Sequence, residues 1–165
     1  MMEIRPLSAE DQEWSIGIDE AGRGAVIGPL TVGCVAATPE AIKEMERIEV
    51  VDSKALSPAK RTQMRDVILS LSPNMLRWGV IEASPEQIDR AVTERSLNEL
   101  ELDLFAEIIT RMEQMNTCTI MADACDANAG RFGRKLASRL LAHGITHPVR
   151  AEHKADLNHK VVAAA

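Results

Sequence analysis

Trp14-Ser15-Ile16-Gly17-Ile18-Asp19-Glu20-Ala21-Gly22-Arg23-Gly24 opens as an apolar run and closes on two adjacent carboxylates and a Gly-Arg-Gly turn. The part from 14 to 19 reads as a short strand, apolar and bounded by charge and glycine. A second strand is expected over 29–37 (PLTVGCVAA), ended by Thr38-Pro39, because the residue before proline avoids the helical region. Ser57-Pro58 has the form of an N-cap with proline in the first turn and predicts a helix over 58–71. Residues 75–82 (MLRWGVIE) read as a strand, and Ser84-Pro85 begins another helix. Leu97, Leu100, Leu104, Phe105, Ile108, Ile109, Met112 and Met115 recur at steps of three and four, the buried stripe of a helix of about five turns. The run 117–122 (TCTIMA) is a strand that leads into Asp123. A basic amphipathic helix follows over 130–142, with Leu136, Leu140 and Leu141 inward; 145–151 is a short strand and 157–165 opens a last helix. Strands with tight connections, followed by strands alternating with helices, place the chain in the α/β class as a mixed sheet flanked by helices.

The 165 residues fit one domain, and 45% hydrophobic with 27% charged residues excludes a disordered chain. Trp14, Trp78, Phe105 and Phe132 are the whole aromatic complement, so the core is aliphatic. A net charge of −6 argues against a general nucleic-acid coat protein, whose affinity rests on a basic surface. The charge is divided, however. Residues 1–130 carry 12 Lys or Arg and 23 Asp or Glu, whereas 131–165 carry 7 and 2 together with all four His. A phosphate-bearing partner would therefore be bound locally. Cys34, Cys118 and Cys125 imply no disulfide framework, and Cys34 and Cys118 read as buried small hydrophobes. The charged amino-terminal segment is no secretory signal and no run is long enough to span a membrane, so a cytoplasmic location is expected.

Two carboxylates at a buried strand end are costly unless a cation neutralises them. Oxygen donors suit Mg²⁺ or Mn²⁺. Glycines on either side of Arg23 let a backbone approach a ligand closely, with amide donors and a guanidinium fork that favour phosphate. A solvated acidic pair in a surface turn is the bland alternative for Asp19 and Glu20. A dinucleotide-binding loop fits poorly, because Gly22-x-Gly24-x-x-x-Gly28 is one residue too long.

Asp123 follows a strand as Asp19 does, and is assigned a chemical role against the ordinary reading as a turn residue. Asp126 is assigned the cap of the next helix, with Asn128 the other candidate. Asp156 either caps the last helix or joins the acids. His143, His147, His153 and His159 match no compact zinc spacing. Val51-Asp52-Ser53-Lys54, followed by Lys60, Arg61 and Arg65, can meet a phosphate or simply begin a solvated helix. Convergence of Asp19, Glu20, Asp123 and Asp156 would hold two divalent cations roughly 3.5–4 Å apart, the arrangement that clamps both oxygens of a phosphodiester displacement.

Taken in order, GIDEAGRGAVIGPL, VDSKALSPAKR, MADACDANAGRFG and AEHKADLNHKVVAAA resemble ribonuclease HII, most of all its archaeal branch, and SLNELELDLFAEII matches that family's middle region. Arg23 in the turn resembles type HII rather than type HIII. The resemblance runs from about residue 14 to residue 165. It implies the ribonuclease H-like α/β sheet and endonucleolytic cleavage of RNA in RNA–DNA hybrids, including cutting at single ribonucleotides embedded in duplex DNA. By the same resemblance the products carry 5′-phosphate and 3′-hydroxyl ends, and the cofactor is Mg²⁺ or Mn²⁺. Asp19, Glu20, Asp123 and Asp156 match the catalytic acids, the first three being the usual metal set. Gly22, Arg23 and Gly24 match the turn that meets the ribose 2′-hydroxyl, the group by which RNA is told from DNA. Lys54 matches a basic residue near the substrate phosphates. Family members continue past the alanine run with a helix, basic residues and a tyrosine near the ribonucleotide, whereas this chain has no Tyr. The expectation is one catalytic domain over 1–165 without that C-terminal helical part, monomeric and acting on hybrid or ribonucleotide-containing duplex. The alternative expectation is a non-cleaving hybrid-binding domain.

Overall fold

The computed structural model describes residues 13–24, 27–51, 53–112 and 118–165. In chain order these form β1 (Trp14–Ala21), β2 (Leu30–Ala37), α1 (Pro39–Arg47), a 3-10 turn (Ser53–Ala55), α2 (Pro58–Leu69), β3 (Leu76–Ala83), α3 (Pro85–Glu94) and α4 (Leu97–Arg111). Then come β4 (Cys118–Asp123), α5 (Ala129–Ala142), β5 (Val149–Glu152), a second 3-10 turn (Ala155–Leu157) and the short α6 (Lys160–Ala163). The five strands make one mixed sheet in the order β3-β2-β1-β4-β5. β1 runs antiparallel to β2 and parallel to β4, so the sheet has the mixed α/β character expected.

Alternation along the strands gives each face its own core. Ile16 and Ile18 of β1, Val32 and Cys34 of β2 and Ile120 of β4 pack with α4 and α5, around Phe105 and Phe132. Those two rings meet edge to face at 5.7 Å, the geometry that ring quadrupoles favour. Val35 and Ala37, with Met121, turn to the opposite face and pack with Met45 of α1 and with Val161 and Val162 of α6. Cys34 and Cys118 are buried as expected.

Glycine fixes how closely α6 approaches. A Cβ on Gly17 would lie 2.1 Å from the Val161 carbonyl carbon, and one on Gly33 would lie 1.9 Å from the Ala165 carbonyl oxygen. Only glycine lets that backbone lie directly on β1 and β2. Lys160 also donates to the Val50 carbonyl at 2.6 Å, which ties α6 to the loop after α1.

Several expectations need correction. Thr38-Pro39 ends β2 but also starts α1: Thr38 Oγ1 accepts from the Ala41 amide, and Pro39 sits in the first turn, where a missing N–H costs nothing. The strand predicted over 145–151 is confined to Val149–Glu152. The predicted last helix divides into a 3-10 turn and α6, and Asp156 lies inside the turn rather than at a cap. Asn128 is the cap of α5, accepting from the Arg131 amide at 2.8 Å, while Asp126 pairs with the Arg131 guanidinium. Leu136 and Leu140 point inward, but Leu141 is exposed, since it lies off their stripe. Met115 and Asp52 lie outside the described residues. Among the described residues no helix is long and apolar enough to cross a membrane.

Candidate active site

The parallel pairing of β1 with β4 aligns their carboxyl ends, with Ile18 opposite Ala122. One residue further on, Asp19 and Asp123 come level, both turned to the α6 side by the strand period. Glu20 turns to the other side. Even so, a carboxylate oxygen from each of Asp19, Glu20 and Asp123 lies within 4.8 Å of the other two.

This crowding shows in the protonation of the group. Burial is the largest influence on Asp19 and raises its pKa to about 6, opposed by a hydrogen bond from the Glu20 amide and reinforced by Asp123 and Asp156. Glu20 is pushed up to about 8, by burial first and by the charges of Asp19, Glu101 and Asp123 next. Its Oε2 is buried with no hydrogen-bond partner among the described residues. Oxygen donors without enough positive charge around them suit a hard divalent cation, which replaces the protons and occupies the orphaned lone pair.

Asp156 lies outside the trio of oxygens but near enough for its charge to raise Asp19. Lys154, two residues earlier, sits in the left-handed region at φ 57°, a conformation that costs a non-glycine residue about 1–2 kcal/mol. That turn delivers the Ala155 amide to Asp123 Oδ1 at 2.9 Å and carries Asp156 to the cluster. Lys54 belongs to the first 3-10 turn, and its positive charge reaches Asp19 and opposes the rise in its pKa.

Gly22 has φ 92° and places its missing Cβ 2.4 Å from the Pro29 carbonyl oxygen, so the turn after β1 needs glycine there on both counts. Among the described residues, a Cβ on Gly24 would meet no atom within 4 Å. The Arg23 fork, expected to favour a phosphate, makes three contacts within the protein while about a third of its side chain, 32%, stays exposed. Its Nη1 donates to Glu101 Oε2 at 3.0 Å and to the Cys125 carbonyl at 2.8 Å, and its Nη2 donates to Asn98 Oδ1 at 2.5 Å.

Glu101 and Asn98 had no place in the sequence-based site. The signal was present: Glu101 falls between Leu97 and Phe105 at steps of four, on the apolar stripe, and a carboxylate there must be buried. It is fully buried, and burial raises its pKa against the pull of Arg23. Of the expected residues, Asp19, Glu20 and Asp123 form one cluster, the charges of Asp156 and Lys54 reach Asp19, and Gly22, Arg23 and Gly24 follow directly on the end of β1.

A mixed α/β sheet with strand-end carboxylates gathered on adjacent parallel strands defines a class of candidate cation-binding proteins. Within that class the comparisons are specific. A ribonuclease HII family model matches residues 16–165. Ribonuclease HII of Pyrococcus furiosus is 38% identical over 149 residues, 90% of this chain and 62% of that protein. The solved ribonuclease H2 of Pyrococcus horikoshii superposes with a TM-score of 0.80 at 32% identity, over 92% of this chain and 68% of that one. The ribonuclease HII solved in complex with PCNA from Archaeoglobus fulgidus gives 0.76 at 34%, over the same shares. The chain belongs to the ribonuclease HII family. It spans 62% of the length of the Pyrococcus furiosus relative.

Proposed function

We propose that this chain is a metal-dependent endoribonuclease that hydrolyses the RNA strand of RNA–DNA hybrids and cuts at single ribonucleotides embedded in duplex DNA. The observation that carries this is the convergence of Asp19, Glu20 and Asp123 at adjacent strand ends in a chain of the ribonuclease HII family. When bound, two divalent cations, Mg²⁺ or Mn²⁺, supply activation of water and neutralisation of the charge that grows on the phosphodiester. Asp19, Glu20 and Asp123 would anchor them, and Asp156 would help to hold the second.

The chain's own groups do the rest. Asp123 is held in place by the Ala155 amide and keeps one oxygen for the centre. Lys54 meets a substrate phosphate as a point charge beside the acids. The Gly22–Gly24 backbone approaches the ribose and meets the 2′-hydroxyl, the group absent from DNA. Cleavage breaks the bond between phosphorus and the 3′ oxygen, leaving 3′-hydroxyl and 5′-phosphate ends. We read residues 1–165 as one catalytic domain that acts as a cytoplasmic monomer. No observation favours a non-cleaving binding domain.

The test is incubation of an RNA–DNA hybrid with the chain in Mg²⁺ or Mn²⁺, with and without EDTA, for the parent and Asp19→Asn. Cleavage that needs the cation and falls by at least about 100-fold in the variant is expected for loss of an electrostatic anchor. Equal activity of Asp19→Asn and the parent contradicts the proposal.

A further inference from the structure

Glu101 is a complete carboxylate inside an aliphatic core, between Leu100 and Leu102, with no exposed surface. A buried ion pair is weak evidence for a role in stability, since replacing both partners by well-packed apolar side chains is often neutral or stabilising, even though removing one partner alone is costly. The carboxylate holds Arg23 through Oε2 at 3.0 Å, and the Cys125 side chain lies beside it as well.

Arg23 gathers three parts of the molecule. Its own turn follows the Asp19 and Glu20 strand; Asn98 and Glu101 belong to the first turns of α4; the Cys125 carbonyl lies two residues after Asp123. Asn98 also lies beside Asp126, whose carboxyl is held below its usual range mainly by Arg131 and in part by Asn98. The guanidinium therefore ties the end of β1 to the end of β4 through α4. These three contacts make the fork a strut for its own turn, whose Gly22 and Gly24 are exposed.

Resting on the function proposed above, we propose that Glu101, assisted by Asn98, is a positioning residue for recognition of the ribonucleotide. By fixing Arg23 it presets the Gly22–Gly24 turn beside the carboxylate trio. It touches neither substrate nor cation itself.

The experiment compares the parent with Glu101→Leu, Glu101→Gln and Asn98→Ala. KM and kcat are measured on a duplex carrying one ribonucleotide, Mn²⁺ affinity by titration of the free protein, and amide exchange across residues 20–24 by mass spectrometry. Loss of a charge-assisted hydrogen bond predicts that Glu101→Leu raises KM about tenfold, with kcat within about threefold of the parent. Its Mn²⁺ affinity does not fall, and its amides at 22–24 exchange at least about tenfold faster. Glu101→Gln, which keeps an acceptor for Arg23, restores most of the loss, and Asn98→Ala shows a smaller effect in the same direction. A folded Glu101→Leu with the parent's KM and exchange overturns the proposal. So does a fall in Mn²⁺ affinity that matches the change in KM, which would make Glu101 part of the metal site. Should Glu101→Leu fail to fold, Asn98→Ala decides by the same readouts. A parent that neither binds nor cuts the duplex refutes the proposed function instead, and the exchange at 22–24 then decides alone whether Glu101 orders the turn.

Discussion

Asp19 and Glu20 both hold their protons to unusually high pH for the same first cause, burial, and this gives the centre a signature in solution. A carboxyl whose pKa is higher in the folded than in the unfolded chain contributes stability below its ordinary pKa, and loses it as pH rises through the folded value. For Asp19 that window runs from 3.8 to about 6, and for Glu20 from 4.5 to about 8. The cation-free chain is thus expected to lose several kcal/mol of stability, on the order of 3–5, between pH 5 and pH 8, read by urea denaturation. Glu20→Gln should flatten most of that decline, and saturating Mg²⁺ at pH 8 should reverse it. Cation binding must displace the same protons, so Mn²⁺ affinity should rise between pH 6 and 8, with proton release visible by calorimetry in buffers of different ionisation enthalpy. An affinity independent of pH would contradict the reading of Glu20 as a ligand.

At the scale of the element, the site depends on how closely backbones approach. Gly17→Ala would drive a methyl into the Val161 carbonyl, so α6 must shift away from β1. Thermal unfolding should show a loss of about 1–3 kcal/mol, the usual cost of overpacking. Lys154→Gly should cost nothing or add about 1 kcal/mol, because glycine takes the left-handed conformation freely. The elements most legible in the sequence were those whose signal is local. The stripe of α4, the Ser57-Pro58 and Ser84-Pro85 caps and the strand before Asp19 all follow from side-chain period and backbone chemistry. Thr38-Pro39 carried two messages, the end of β2 and the start of α1, and only the first was read. The division of 155–165 into a 3-10 turn and α6 was not legible, since it depends on Asp123 receiving the Ala155 amide from 32 positions away in sequence.

For the molecule as a whole, the acids at 19–20, 123 and 156 were legible as strand-end or helix-start residues, and the parallel register of β1 and β4 explains why they meet. Glu101 was not legible as part of the site, because its role passes through Arg23, and a helix pattern alone does not say which strand end it faces. The net charge of −6 takes its place in this account as well: part of it is a cluster built to be neutralised by cations. The central claim is that this cluster is what cuts. Its most direct test is the rate of cleavage of a duplex containing one ribonucleotide, followed across a Mn²⁺ titration for the parent and for Asp123→Asn. The account predicts a cut beside the ribonucleotide, absent without the cation, rising to saturation in the parent and reduced by at least about 100-fold in Asp123→Asn at every concentration. Matching titration curves for the two proteins would contradict it.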